Sequence, residues 1–298
     1  MARILITGGG GFVGVHLANW FIKAGHQVFV IDDCSKWGEL SFKYLEGCTL
    51  IQGSILDDRV YGWFPRPSMV YHLAVVDINS AEREPLRSLQ VNVAGALKVA
   101  QYAQRMRVDN LVYVSSASIY GNGPVPSLES NTPDVGCLYA AQKLIGENIC
   151  LSSRIPVTVF RLTNTYGPDI HGHKLRERGS IGNLIHAIYG GEFFALYGDG
   201  SQTRDYVYID DVVEALLRAQ GNGIYNVGTG IETATSDLVE LIGQMTNREL
   251  EIHPTPPRKV DYIQRRALDI SRIERDLGWK PEVALETGLA RCIASMEE

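Results

Sequence analysis

Four glycines in a row, Gly8 to Gly11, sit between a short apolar run and an amphipathic segment. The stretch Thr7-Gly8-Gly9-Gly10-Gly11-Phe12-Val13-Gly14 satisfies G-x-G-x-x-G through Gly9, Gly11 and Gly14. It also satisfies G-x-x-G-x-x-G through Gly8, Gly11 and Gly14. Arg3 to Thr7 reads as a strand, and Phe12 to Ala24 as a helix ended by Gly25. Side-chain-free positions let backbone N–H groups approach a pyrophosphate, and the helix N-terminus favours its negative charge. A second apolar run, Gln27 to Asp32, ends in a carboxylate 18 residues past Gly14. A carboxylate there accepts the ribose hydroxyls of NAD and repels the extra phosphate of NADP. Lys36, four residues further on, is a nearby cation that would soften this preference.

The alternation continues. Thr49 to Gln52, Met69 to Ala74, Asn110 to Ser115 and Val157 to Leu162 read as strands, with helical patterns over Arg87 to Arg107 and Tyr139 to Ser152. Continuous apolar runs point to strands buried on both faces, hence an α/β, doubly wound parallel sheet of the Rossmann type. After about Tyr166 the pattern changes. A polar stretch follows, then a helix over Asn183 to Tyr189, a strand over Phe193 to Tyr197 and a helix over Ile209 to Gln220. Ile224 to Val227 reads as a strand returning to the sheet, and Pro254, Pro256 and Pro257 as a turn. This predicts a dinucleotide-binding domain over 1–165 with returning segments near 205–230, and a smaller, interleaved substrate-binding lobe over 166–298.

Composition narrows the classes. The 298 residues are 45% apolar and 21% charged with a net charge of −6, so a nucleic-acid partner is not expected. No apolar run is long enough to span a membrane. The five cysteines are scattered and form no C-x-x-C, which predicts a reduced, cytoplasmic protein without a disulfide framework or metal site. His171 and His173, in the polar stretch, lack further ligands and read as solvated.

Tyr139 and Lys143 are four apart in a helical pattern, so both lie on one face. A tyrosine acting as base near neutral pH needs its pKa of about 10 lowered by roughly 3 units, about 4 kcal/mol. A neighbouring ammonium and a cationic nicotinamide both favour the phenolate. Ser116 ends the preceding strand and would share the substrate proton. Cys137 lies two residues before Tyr139 and reads as a packing thiol.

The chain resembles the extended short-chain dehydrogenase/reductase family, and within it the NAD-dependent nucleotide-sugar epimerases and dehydratases. The likeness runs from Arg3 to about Leu289. It is carried by TGGGGFVG (7–14), VIDD (30–33), YHLA (71–74), NVAG (92–95), SSASIYG (115–121), YAAQK (139–143), RLTNTYGP (161–168), YGDGSQTRDYVYIDD (197–211), YNVGTG (225–230) and LGWKP (277–281). The resemblance implies that Ser116, Tyr139 and Lys143 are catalytic. It implies NAD contacts from Gly8, Gly11, Phe12, Val13, Asp32, Asp33, Ser54, Ile55, Leu73, Ala74, Asn92, Tyr139, Lys143 and Thr163. Ser54 stands where the family usually has Asp, and Gln142 where Ser is commoner; no role attaches to Gln142. For the substrate, a nucleotide sugar with UDP favoured, it implies Ser116, Asn164, Tyr197, Arg204, Arg258 and Asp261. It also implies a homodimer, with Leu89, Val93, Leu97 and Leu144 serving either that surface or the protein's own core.

The family's reactions begin alike: the tyrosine deprotonates the sugar 4-hydroxyl as NAD is reduced, giving a 4-keto sugar. A 4,6-dehydratase then needs an Asp-Glu pair after the catalytic Ser/Thr, and the related decarboxylases have Glu in the second place. Here those positions are Ala117 and Ser118. The expected activity is 4-epimerisation. A dehydratase or decarboxylase is the alternative, and a catalytically silent NAD-binding regulator is a third reading that Ser116, Tyr139 and Lys143 argue against.

Overall fold

The structure, a computed structural model, describes residues 1–36, 38, 42–168, 179–256 and 262–297. Six strands follow one another: β1 (Arg3–Thr7), β2 (Gln27–Asp32), β3 (Thr49–Gln52), β4 (Met69–His72), β5 (Asn110–Ser116) and β6 (Val157–Leu162). With a later strand, Gly223–Val227, they form one seven-stranded sheet. Its order is Gly223–Val227, β6, β5, β4, β1, β2, β3. The pairs β1/β2, β1/β4, β2/β3 and β4/β5 are all parallel. The architecture is the doubly wound parallel sheet expected from the sequence.

Burial on both faces explains the continuous apolar runs. Leu5, Phe29, Ile31, Val70 and Leu111 join one cluster with Val99, Ala100 and Ala103. The alternate residues Ile4, Ile6, Val28 and Val30 are equally buried. Each such side chain taken from water contributes roughly 1.5–3 kcal/mol.

Helix α1 (Phe12–Lys23) follows the glycine turn, with Gly11 as N-cap and Ala24 as C-cap. Helices α2 (Ile78–Arg83) and α3 (Pro85–Leu89) follow β4. The single helix expected over Arg87 to Arg107 is instead α3, a π-helical turn over Gln90–Gly95 and α4 (Ala96–Met106). Helix α5 (Leu138–Leu151) carries Tyr139 and Lys143. The strand expected to Ala74 ends at His72.

The chain divides into two compact units. One comprises Met1–Ile119, Val135–Arg161 and Ala215–Tyr225; the other comprises Tyr120–Asp134, Leu162–Glu214 and Asn226–Glu298. In the second unit, Asn164–Tyr166 pairs in parallel with Tyr206–Tyr208, and Phe194–Tyr197 with Ile252–Thr255. Pro254 therefore lies in a strand rather than in the expected turn, opposite Leu196. A proline fits there because this sheet has only two strands, so its missing N–H falls at an edge. Buried Asp211 braces the unit: its carboxylate accepts the N–H groups of Glu282 and Val283, and its carbonyl accepts the Trp279 indole N–H at 3.0 Å. Among the described residues no helix is long and apolar enough to cross a membrane.

Candidate active site

The glycine turn closes only without side chains. Gly8 has φ +70°, and a Cβ on it would lie 2.5 Å from the Ala74 nitrogen. A Cβ on Gly14 would lie 2.5 Å from the Gly8 carbonyl oxygen. Gly8 N–H donates to the Ile31 carbonyl and Gly11 N–H to the Gly8 carbonyl, which tightens the turn onto the sheet. Gly11 offers no side-chain cap to α1, so the N–H groups of the first turn, around Phe12 and Val13, form an anion-binding end.

Asp32 sits against this turn. Its Oδ2 accepts the Gly10 N–H at 2.9 Å and its Oδ1 the Cys34 N–H at 2.8 Å. Burial raises its pKa, opposed by those two hydrogen bonds. Each oxygen keeps a further lone pair for a ribose hydroxyl. A cradle that Cβ atoms would fill, an open helix N-terminus and a fixed carboxylate together fit a dinucleotide.

The other expected cofactor residues fall into two groups. Leu73 and Ala74 form the backbone facing the glycine turn, and Leu73 N–H donates to the Thr7 carbonyl at 3.0 Å. The side chains of Asp33, Ser54, Ile55 and Asn92 are engaged within the protein. Asp33 accepts the Ser35 N–H and hydroxyl and faces Arg87 at 3.8 Å. Ser54 Oγ accepts the Leu56 N–H, and Ile55 is in the core. Asn92 accepts the Val76 N–H at 2.8 Å and donates to the Val76 carbonyl and to Gln142.

The catalytic candidates of the first unit converge at the ends of β5 and α5. The Lys143 ammonium lies 5.9 Å from the centre of the Tyr139 ring and 5.2 Å from that of Tyr113, and donates to the Val114 carbonyl at 2.7 Å. Lys143 is 4% exposed, and burial pushes its pKa down to about 8 while Glu147 opposes the shift. Ser116 Oγ accepts the Ser118 N–H at 3.1 Å and donates to the Ser118 hydroxyl at 3.0 Å. Ala117 and Ser118 form a short 3₁₀ turn with Ile119 and Tyr120, bringing no carboxylate to Ser116. Cys137 is the N-cap of α5, with no side-chain cap bond.

Beneath this set lies a buried ion pair that sequence reading missed. Glu147 accepts two hydrogen bonds from the Arg161 guanidinium, at 3.0 and 2.7 Å, and one from the Ser115 hydroxyl. Its signal was present: Tyr139, Lys143 and Glu147 recur every fourth residue along α5. His72, also buried, hydrogen-bonds Thr7 Oγ1 at 2.7 Å. Its pKa is pushed down to about 3, first by burial and then by Lys143.

The second unit carries the remaining candidates. The Thr163 hydroxyl donates to the Asp205 carbonyl at 2.9 Å. Asn164 begins a strand, and its side-chain oxygen is buried with no hydrogen-bond partner among the described residues. Such an oxygen is costly unless a ligand supplies a donor. Tyr197 ends the strand Phe194–Tyr197. Arg204 is 9% exposed, and its guanidinium donates to the Thr203 carbonyl at 2.8 Å. Beside it, Asp205 binds the N–H groups of Thr229, Gly230 and Leu268, which fixes this segment. Arg258 and Asp261, like His171 and His173, lie outside the described residues.

A glycine turn with its acid partner and a Tyr–Lys pair on the helix after β5 define a dinucleotide-dependent enzyme of the short-chain dehydrogenase type. Comparison with known proteins narrows the class: residues 4–228 match the model of the NAD-dependent epimerase/dehydratase family. A UDP-glucose 4-epimerase of Mycolicibacterium smegmatis is 33% identical over 98% of this chain and 97% of its own. A UDP-N-acetyl-alpha-D-glucosaminuronate decarboxylase of Bacillus cytotoxicus is 30% identical over 99% and 98%. The crystal structure of a Thermotoga maritima UDP-glucose 4-epimerase with UDP-glucose superposes with a TM-score of 0.91 at 30% identity, covering 99% of this chain and 98% of the other. The chain belongs to the NAD-dependent epimerase/dehydratase family, whose cofactor is the one the glycine turn and Asp32 fit.

Proposed function

We propose that this protein is a nucleotide-sugar 4-epimerase, acting on a UDP-sugar through a transient 4-keto sugar. The observation that carries the reading is the Ser116–Tyr139–Lys143 set followed by Ala117 and Ser118, with no carboxylate after the catalytic serine. NAD, when bound, would supply the hydride acceptor for oxidation at carbon 4 and, as the NADH so formed, the hydride donor for the return step. Gly8, Gly11, Phe12, Val13, Leu73 and Ala74 hold it along the turn, and Asp32 takes its adenosine ribose. Tyr139 removes the proton from the 4-hydroxyl, with Ser116 sharing it, and returns that proton to the 4-oxygen when, after the sugar turns, hydride comes back to the opposite face of carbon 4. Lys143 supplies the neighbouring positive charge that favours the phenolate. Nothing more is needed for inversion, whereas elimination or decarboxylation calls on further proton-transfer groups, each worth roughly 10²–10⁴-fold.

Asn164 and Arg204 are the nucleotide-sugar ligands best supported in the second unit. The orphaned Asn164 oxygen needs a donor, and the Arg204 guanidinium suits a diphosphate or a base. By resemblance Tyr197 joins them on the nucleotide sugar, and Thr163 contacts NAD. The protein works in the cytoplasm, in keeping with five free cysteines. It pairs as a homodimer through the helical segment 87–107 and α5, where Leu89 and Leu97 are exposed, Val93 and Leu144 are half-buried, and Ile145 adds a further exposed side chain.

Relatives that decarboxylate uronic acids keep a second reading in view. Incubation with a panel of UDP-, dTDP-, GDP- and CDP-sugars, followed by mass spectrometry and NMR, separates the two. An epimerase yields a product of unchanged mass inverted at carbon 4. Loss of carbon dioxide from a nucleotide uronic acid, or loss of water, would replace the epimerase reading.

A further inference from the structure

Gln142 has no role in the proton chemistry, yet it is fully buried between Tyr139 and Lys143 of the sequence. Its amide bridges two side chains. Nε2 donates to Ser88 Oγ at 2.8 Å and Oε1 accepts from Asn92 Nδ2 at 2.7 Å. The Ser88 hydroxyl, on α3, donates to the Pro85 carbonyl at 2.8 Å. Asn92 lies in the π-helical turn, a distortion frequent at functional sites. Its amide clasps the backbone of Val76 from both sides, accepting the N–H at 2.8 Å and donating to the carbonyl at 3.0 Å. Val76 is two residues beyond Ala74, whose nitrogen occupies the space a Cβ on Gly8 would need. One continuous chain of contacts thus runs from Gln142 through Asn92 and Val76 to the glycine turn.

We propose that Gln142 is a positioning residue for NAD: through Asn92 it holds the Leu73–Val76 segment against the Gly8 turn and so sets the cofactor's affinity. The physical case rests on orientation. Asn92 Nδ2 has two hydrogens, one spent on Val76 and one on Gln142, so the glutamine reinforces the amide orientation that Val76 selects. A flipped Asn92 would oppose donor to donor at Val76 N–H. A residue too short to reach Asn92, such as serine, would leave that orientation to Val76 alone. The inference rests on NAD binding at the glycine turn, not on which sugar is turned over.

The test is calorimetric titration of NAD into the unaltered protein, Gln142→Met and Ser88→Ala, well below their melting temperatures. Hydrogen exchange of residues 73–77 is followed in parallel. Methionine keeps the length and loses both hydrogen bonds, so NAD binding weakens about tenfold and exchange over 73–77 accelerates. Ser88→Ala removes only the outer link and weakens NAD about two- to threefold. A lower Tm with unchanged NAD affinity and unchanged exchange would overturn the proposal, because a merely structural glutamine behaves that way. If Gln142→Met is not recovered folded, Ser88→Ala decides: unchanged affinity overturns it. Failure of the unaltered protein to bind NAD would refute the cofactor assignment itself.

Discussion

Lys143→Met tests the stability cost of burying an ammonium in α5 against the catalytic role proposed for it. The ammonium is buried among His72, Tyr113, Tyr139, Glu147 and Cys150, and its pKa falls from 10.5 to about 8. That difference corresponds to about 3 kcal/mol by which the fold disfavours the charged form. Below pH 8 the lysine is protonated both folded and unfolded, so the whole cost is present. Between pH 8 and 10.5 the unfolded chain holds the extra proton, and stability rises with pH until the cost is gone. Methionine removes the charge at nearly the same length and forfeits the bond to the Val114 carbonyl, about 1 kcal/mol. The variant should therefore be about 2 kcal/mol more stable than the parent at pH 7. The advantage should shrink from pH 8 upward and vanish or reverse by about pH 10.5. Urea unfolding of both proteins across this range measures the difference directly, and turnover of the variant should fall by orders of magnitude. A variant that is less stable at pH 7, or a difference flat with pH, would refute the reasoning.

Glu147→Ala removes the carboxylate paired with the buried Arg161 guanidinium, and denaturant unfolding should show a loss of about 3–5 kcal/mol. The double change Glu147→Met with Arg161→Met should recover most of it; a double variant as unstable as the single one would mean that the ion pair itself contributes the stability, rather than the cost of a buried charge without its carboxylate. Asp32→Ala should weaken NAD and relax discrimination against NADP in a binding titration, and equal affinity of the unaltered protein for both cofactors would defeat the ribose assignment. Tyr139→Phe should keep cofactor and nucleotide-sugar binding while turnover drops by roughly 10²–10⁴-fold, and near-normal turnover would mean that another group is the base.

The central sheet was readable because both its faces are covered. A run such as Val157 to Leu162, six buried residues in succession, needs no knowledge of its partners to be recognised. The glycine turn and the Tyr139–Lys143 face were readable because their logic is local, set by a turn's sterics and a helix's period. The π-helical turn at Gln90–Gly95 was not, because long-range contacts accompany it: Asn92 reaches Gln142, 50 residues on, and Gly95 packs against Ile55. Pro254 misled for the same reason, since its strand is defined by pairing with Phe194–Tyr197. The orphaned oxygen of Asn164 is likewise invisible in sequence, where an asparagine shows its type and not its partners.

The most direct test of the account uses the UDP-sugar that turns over best, deuterated at carbon 4, with the reaction run in ordinary water. Oxidation and reduction at that carbon by one bound NAD return the same isotope. NMR should therefore show the inverted product with deuterium retained at carbon 4. Deuterium replaced by solvent hydrogen at carbon 4, or a product changed in mass by elimination or decarboxylation, would contradict the assignment of this chain as a nucleotide-sugar 4-epimerase.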